Sequence, residues 1–234
     1  MSKKAIVIHS GGMDSSLCLA LAAQEFGPEH LLSLSFSYHQ RHSKELEQAK
    51  KICQDWKIDH HLVDLNCLNQ VTHNALMDHS VSISLDDNKI PNTLVIGRNG
   101  LMAHFGAIYA HHLGAHALYM GVMELEEANS GYRDCSRHYM DLKQEILRID
   151  LDDPIFEIRT PLVKMTKKQT LELADQLGIL EYLLKETVTC YEGLPENGCL
   201  LCPACQLRNQ GIREFLVAHP NFKLPYSINI SKGN

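Results

Sequence analysis

What this 234-residue chain lacks narrows its class before any motif is read. No apolar run approaches the ~18 residues of a membrane-spanning helix. Met1-Ser2-Lys3-Lys4 precedes an apolar stretch of strand length only, so no secretory signal peptide is expected. Basic residues are not in excess. Lys and Arg number 22 against 28 Asp and Glu, a formal net charge of −6, which argues against general binding of nucleic acid through a basic surface. There is no internal repeat, no low-complexity tract and no long linker. The 14 histidines include no H-E-x-x-H spacing, and most are expected at the surface. Eight cysteines without an export signal predict reduced thiols and metal binding in a cytoplasmic protein, not disulfides.

What is present begins with Ser10-Gly11-Gly12-Met13-Asp14-Ser15-Ser16. It follows the apolar run Ala5-Ile6-Val7-Ile8, which reads as a buried parallel strand. It precedes Leu17 to Ala23, which reads as a buried helix ending near Gly27-Pro28. The bland alternative is a strand–helix turn with glycines for tightness and Ser or Asp as N-cap. The spacing is neither G-x-x-x-x-G-K-[ST] nor G-x-G-x-x-G. A helix N-terminus nonetheless leaves unpaired N–H groups and partial positive charge, a ready site for phosphate. Asp14 beside a phosphate implies a divalent cation between them.

The chain continues in a β-α-β-α-β rhythm. Leu31–Phe36 reads as a second strand and Ser43–Trp56 as an amphipathic helix with Leu46, Ala49, Ile52, Cys53 and Trp56 on one face. His61–Leu65 reads as a third strand. Residues 66–92 are polar and weakly periodic, and are expected to pass over the mouth of a site. A helix is expected from about Gly100 to Leu113, a strand at Ala117–Val122, a helix over about Ser136–Ile149 and a short strand at Phe156–Arg159. Thr166-Lys167-Lys168-Gln169 has the form of a capping box, and Gly178 closes its helix. The pattern predicts an α/β domain built on a parallel sheet with right-handed crossovers.

The second chemical signal is Cys190, Cys199, Cys202 and Cys205. C-x-x-C-x-x-C with a fourth cysteine upstream is the count for a closed tetrahedral thiolate site, for which zinc is the leading ion and an iron–sulfur cluster the alternative. Cys18, Cys53 and Cys67 read as small buried hydrophobes. Cys135 has no identifiable base partner.

S-G-G-x-D-S resembles the pyrophosphate loop of the N-type ATP pyrophosphatases. Together with T-C-Y-x-G and C-x-x-C-x-x-C-x-L-R near the C-terminus, it resembles the QueC family of 7-cyano-7-deazaguanine synthases. The likeness extends through Ser37-Tyr38-His39-Gln40-Arg41-His42, Gly97-Arg98-Asn99, Ser130-Gly131-Tyr132-Arg133-Asp134-Cys135 and Thr160-Pro161-Leu162. The resemblance implies a Rossmann-like fold of the adenine nucleotide alpha hydrolase kind over residues 1–185, with a zinc-binding helical region over 186–225. It implies ATP binding by His9, Ser10, Gly11, Gly12, Met13, Asp14, Ser15, Ser16, Leu17, Cys18 and Leu19, with Mg²⁺ held at Asp14. Lys167 and Arg98 become candidates for neutralising phosphate or carboxylate charge. Arg41, Asn99, Tyr132 and Asp134 become candidates for substrate contact. One structural zinc per chain is implied on the four cysteines.

The implied reaction is ATP-dependent conversion of a carboxylated deazaguanine and ammonia to a nitrile. Alternatives are adenylation of a different carboxylate or of a tRNA base, or a non-enzymatic zinc-knuckle module that binds a nucleotide. The oligomeric state is open, a homodimer being one option. The chain departs from the family pattern at Ala128, Arg133 and Ser136, where Asp, Pro and Arg are usual. It departs again at His39, Ile96 and Leu200, where Gly, Pro and Gly are usual.

Overall fold

The computed structural model describes residues 2–38, 43–72, 74–76, 80–81, 84, 92–125 and 131–226. Five strands form one parallel sheet: β1 (Ala5–Ile8), β2 (Leu31–Ser37), β3 (Asp59–Asp64), β4 (Ala117–Met120) and β5 (Glu157–Arg159), in spatial order β3-β2-β1-β4-β5. Ala5 pairs with Leu31 on one side and Ala117 on the other. The chain therefore winds outward from β1 in one direction through β3, then returns to its other side with β4. Ligands in such sheets settle beyond the carboxyl ends of the strands at this reversal.

Helices cover both faces. One face carries α1 (Met13–Phe26), α2 (Lys44–Trp56), α5 (Lys167–Gln176), α6 (Leu180–Glu186) and α7 (Pro203–Ala218). Their core includes the fully buried Leu17, Leu19, Ile52, Leu183 and Phe215. The other face carries α3 (Arg98–Leu113) and α4 (Arg137–Leu151), packed through Ala103, Ala107, Met140, Leu147 and Phe156. Each large apolar side chain so enclosed contributes on the order of 2 kcal/mol. Every residue of β4 is buried, as a strand covered on both faces requires. Among the described residues no helix is long and apolar enough to cross a membrane.

Several boundaries differ from the sequence expectation. The third strand starts at Asp59 and ends at Asp64, because it pairs with β2 from Leu32 through Ser37. It is an edge strand with four exposed residues, so its apolar content is a poor guide to its limits. Cys67 is exposed, not buried. Two turns of helix, α6, are added where none was expected, through the buried Leu180, Leu183 and Leu184. α3 starts two residues early. The Asp134 carboxylate, 35 residues along the chain, accepts the Asn99 N–H at 2.9 Å and caps it from outside. The capping box at Thr166 and Gln169 forms as the sequence predicts. Much of 66–92 lies outside the described residues; Leu76 within it and Val95 just beyond it are buried.

Candidate active site

The loop after β1 is tied to itself. Gly12 N–H donates to Ser10 Oγ at 3.3 Å, and Ser15 Oγ accepts from Ser10 N–H at 3.2 Å. Ser15 and Ser16 hydroxyls both lie on the Gly12 carbonyl, at 3.1 and 2.8 Å. Gly11 has φ +88°, and a Cβ there would lie 2.0 Å from the Glu45 carbonyl of α2. Glycine is therefore required at Gly11 for conformation and for close approach.

Beneath the loop His9 is fully buried. Its Nε2 is 3.0 Å from Ser16 Oγ and its Nδ1 3.0 Å from Ser33 Oγ. Since the Ser16 proton goes to Gly12, Nε2 carries the ring hydrogen and Nδ1 accepts from Ser33. Burial, with a smaller push from His60, lowers the His9 pKa to about 3, so the ring is neutral.

A cavity of about 250 Å³ opens at the sheet's reversal point. Of the loop residues, Ser10, Gly12, Met13, Asp14 and Ser15 line it. His9, Gly11, Ser16, Leu17, Cys18 and Leu19 are outside its lining and build the support behind. Arg98, at the start of α3, reaches the same cavity with Tyr38, Tyr132 and Tyr191 around it. Its guanidinium donates to Tyr38 OH at 3.3 Å. Burial opposes its charge, but Tyr38, Tyr191, Tyr132 and Asp134 outweigh burial and raise its pKa. Asn99 and Tyr132 line the cavity, while Asp134 is buried behind them as the cap of α3. Arg41 lies outside the described residues.

Sequence reading did not single out Glu45, Gly121 or Gly211. Glu45, in the first turn of α2, lines the cavity. Burial pushes its carboxyl up to about 8 against the pull of Arg98. A Cβ on Gly121 would lie 2.9 Å from the Asp14 carbonyl carbon, so glycine lets β4 end directly under the start of α1. A Cβ on Gly211 of α7 would lie 2.5 Å from Lys167 Cγ. That space lets Lys167 pass inward to Asp14, where its Nζ meets both carboxylate oxygens. None of these glycines or Glu45 belongs to a sequence motif; only three-dimensional proximity marks them.

The four cysteine sulfurs of Cys190, Cys199, Cys202 and Cys205 lie within 4.8 Å of one another. Backbone N–H groups of Glu192 and Cys199 point at Cys190 Sγ, and that of Cys202 at Cys199 Sγ, at 3.2–3.4 Å. Hydrogen bonds from Cys202 and Cys205 hold the Cys190 thiol well below its usual range. Gly198 (φ +66°) lies against Cys205 Sγ, with no room for a side chain. A converging, all-sulfur donor set, buried except for the half-buried Cys199, can hold a metal ion. Thr189, Tyr191 and Ala204, neighbours of these ligands, line the cavity.

The family model of the queuosine biosynthesis protein QueC matches residues 4–216. This chain belongs to the QueC family. It is 40% identical over 215 residues to the 7-cyano-7-deazaguanine synthase of Bacillus subtilis (strain 168), covering 92% of this chain and 96% of that one. Membership makes it an enzyme of queuosine biosynthesis, an ATP-dependent synthase. In fold it is similar to the NMN synthetase of Francisella tularensis (14% identity, TM-score 0.50, 97% of this chain and 90% of that one). The NH3-dependent NAD synthetase of Campylobacter jejuni is as similar in fold (17% identity, TM-score 0.50, 97% and 90%).

The departures of this QueC protein from the usual pattern have mostly local explanations. Ser136 is the N-cap of α4, its hydroxyl accepting the Tyr139 N–H at 3.1 Å. Arg133, which opens a short 3-10 helix (Arg133–Cys135), and Ile96, in a turn, are both exposed. Leu200, between two ligands, has φ +64° and adopts the glycine-favouring conformation without being glycine. Ala128 and His39 lie outside the described residues. Cys135 is buried at the cavity wall and accepts from Asn99 Nδ2 at 3.3 Å.

Proposed function

We propose that this QueC protein is a 7-cyano-7-deazaguanine synthase that uses ATP twice to turn 7-carboxy-7-deazaguanine and ammonia into a nitrile. The observation that carries this is the sharing of one cavity by an anion-binding helix start and the Arg98 guanidinium. A carboxylate does not react with ammonia. Its oxygen first attacks the α-phosphorus of ATP, releasing pyrophosphate. Ammonia then displaces AMP and leaves the amide. The amide oxygen is adenylated in turn, and loss of AMP with the remaining N–H proton gives the nitrile.

In this reading Ser10, Ser15 and the N–H groups at Gly12 and the start of α1 take the departing pyrophosphate. Arg98 binds the carboxylate and holds it in line with the α-phosphate. Tyr38, Tyr132 and Tyr191 offer faces and edges for the bicyclic base. Asn99 contacts substrate, and Asp134 acts through it. Glu45 lines the same cavity and takes protons from the incoming nitrogen. Mg²⁺ bound with ATP at Asp14 would supply charge neutralisation at the phosphates. Lys167 would add its ammonium to that charge.

For the four cysteines the ion we propose is zinc, one per chain. A single ion with sulfur ligands at ~2.3 Å separates the sulfurs by about 3.8 Å. Cys199 and Cys205 sulfurs are 4.0 Å apart, which suits one ion better than a multi-atom cluster. Residues 186–225 then form a metal-braced unit on the ATP-binding unit 1–185, docked by Ile212 and Phe215 into the shared core. Exposed and buried free thiols suit a reducing cytoplasm.

Mass spectrometry of the product from 7-carboxy-7-deazaguanine, ATP and ammonium tests the reading. The expected product is the nitrile with two AMP formed per molecule. Turnover of ATP with a different carboxylate alone would replace it with the other adenylating activity.

A further inference from the structure

The segment that delivers Cys190 also runs beside the phosphate loop. Val188 N–H donates to the Gly11 carbonyl at 3.3 Å. The Val188 carbonyl lies 3.7 Å from where a Cβ on Gly12 would stand. The next residue, Thr189, lines the cavity with Ser10, Gly12 and Ser15. Its hydroxyl oxygen is buried and has no hydrogen-bond partner among the described residues. Buried hydroxyls are nearly always paired. The hydroxyls around it are engaged: Ser15 with Gly12, Ser10 with Ser15, and Thr187 with the Leu183 carbonyl at 2.6 Å. Thr189 alone of this group holds an unused donor at the cavity wall. Thr189 borders the cavity, and rotation of its χ1 among the staggered wells gives the hydroxyl a choice of directions from which to meet a ligand there.

We infer that Thr189 is a phosphate-binding residue, its hydroxyl donating to an oxygen of the departing pyrophosphate portion of ATP. The inference rests on reading the cavity as an ATP site. Its place beside Gly11 and Gly12 selects the phosphates over the carboxylate that Arg98 would hold. Its position is fixed on one side by the Val188–Gly11 hydrogen bond. On the other it is fixed by Cys190, whose sulfur is held by the Glu192 and Cys199 N–H groups. The same short segment thereby serves the metal centre and the nucleotide. The donor it adds is one that no S-G-G-x-D-S loop contains.

The test uses the full chain with Mg²⁺, comparing wild type with Thr189→Val and Thr189→Ser. Calorimetry measures binding of inorganic pyrophosphate and of ATP, and thermal melting reports the fold. Thr189→Val is expected to weaken both ligands about tenfold, as loss of one donor to a charged acceptor does. Its melting midpoint should stay level or rise, because the hydroxyl has no protein partner to lose. Thr189→Ser should restore binding. A valine variant that binds pyrophosphate as wild type does overturns the inference. So does one that raises KM for the deazaguanine acid alone, or one that serine fails to rescue. If wild type binds both ligands yet forms no nitrile, the functional reading falls, while the valine and serine variants still decide the role of Thr189.

Discussion

Lys167 Nζ sits 2.7 and 2.6 Å from the two carboxylate oxygens of Asp14, 153 residues away in sequence. Lys167 is 4% exposed and Asp14 17%. The ammonium also lies 3.2 Å from Met123 Sδ. Three elements meet to make this pair: the start of α1, the start of α5, and α7 with its gap at Gly211. The carboxylate proposed to hold Mg²⁺ is thus neutralised by protein, and the same lysine is at hand when phosphates arrive.

Asp14→Asn should therefore do two things. It removes the proposed metal ligand and abolishes most pyrophosphate release. It also strands a buried ammonium, at a cost of about 3 kcal/mol in urea unfolding. The double variant Asp14→Asn with Lys167→Met should regain much of that stability and none of the activity. If Asp14→Asn unfolds at the wild-type urea concentration, the pair contributes nothing to the fold and its neutralising role is lost.

His9 gives a pH dependence. Its folded pKa lies at about 3 against an ordinary 6.5. Between those values the unfolded chain binds a proton that the folded chain refuses. Stability from this group is complete above about pH 6.5 and falls as pH drops toward 3, by at most ~1.4 kcal/mol per pH unit. The loop should loosen with it, since protonated Nδ1 cannot accept from Ser33. NMR of the His9 ring should show the neutral form down to pH 5. A midpoint near 6.5 would remove the proton-linked effect.

The doubly wound sheet was legible because β1, β2 and β4 are buried on both faces and so carry short, dense apolar runs. The phosphate loop and the four cysteines were legible because each is a fixed spacing of residues with a narrow chemical use. β3 blurred because it is a half-exposed edge. The start of α3 was hidden because its cap, Asp134, is remote in sequence. Glu45, Gly121 and Gly211 were invisible for the same reason: each acts through a neighbour brought near only by folding. The loop S-G-G-x-D-S itself divides into Ser10, Gly12, Met13, Asp14 and Ser15 facing the cavity, and Gly11 and Ser16 facing the protein. A contiguous motif does not reveal that division.

Leu200 offers a stabilising change. A non-glycine residue at φ +64° is strained by roughly 1 kcal/mol or more, part of which glycine returns as unfolded-chain entropy. Leu200→Gly should raise stability by several tenths of a kcal/mol, with metal content unchanged. Leu200→Val, branched at Cβ, should lower it. Equal melting of the three proteins would show that the knuckle relaxes around any side chain.

Metal removal should act on fold and cavity together. Cys190, Cys199, Cys202 and Cys205 converge from a loop and the start of α7, and neighbouring residues Thr189, Tyr191 and Ala204 line the cavity. Without an ion, four sulfurs within 4.8 Å lose the charge that holds them together, and two positive-φ turns, at Gly198 and Leu200, lose their purpose. Binding to a small all-thiolate site can be worth on the order of 10 kcal/mol coupled to folding. Ile212 and Phe215 should keep α7 docked at first. A chelator titration should accordingly raise KM for ATP and for the deazaguanine acid before the far-ultraviolet helix signal falls. Cys199→Ser should lower the melting temperature and metal content together, instead of slowing one chemical step. Metal analysis should give about one zinc per chain with no visible absorption. A brown protein that bleaches on oxidation would replace zinc with an iron–sulfur cluster. A metal-free protein that melts like its Cys199→Ser variant would leave the four thiols without the structural ion assigned to them.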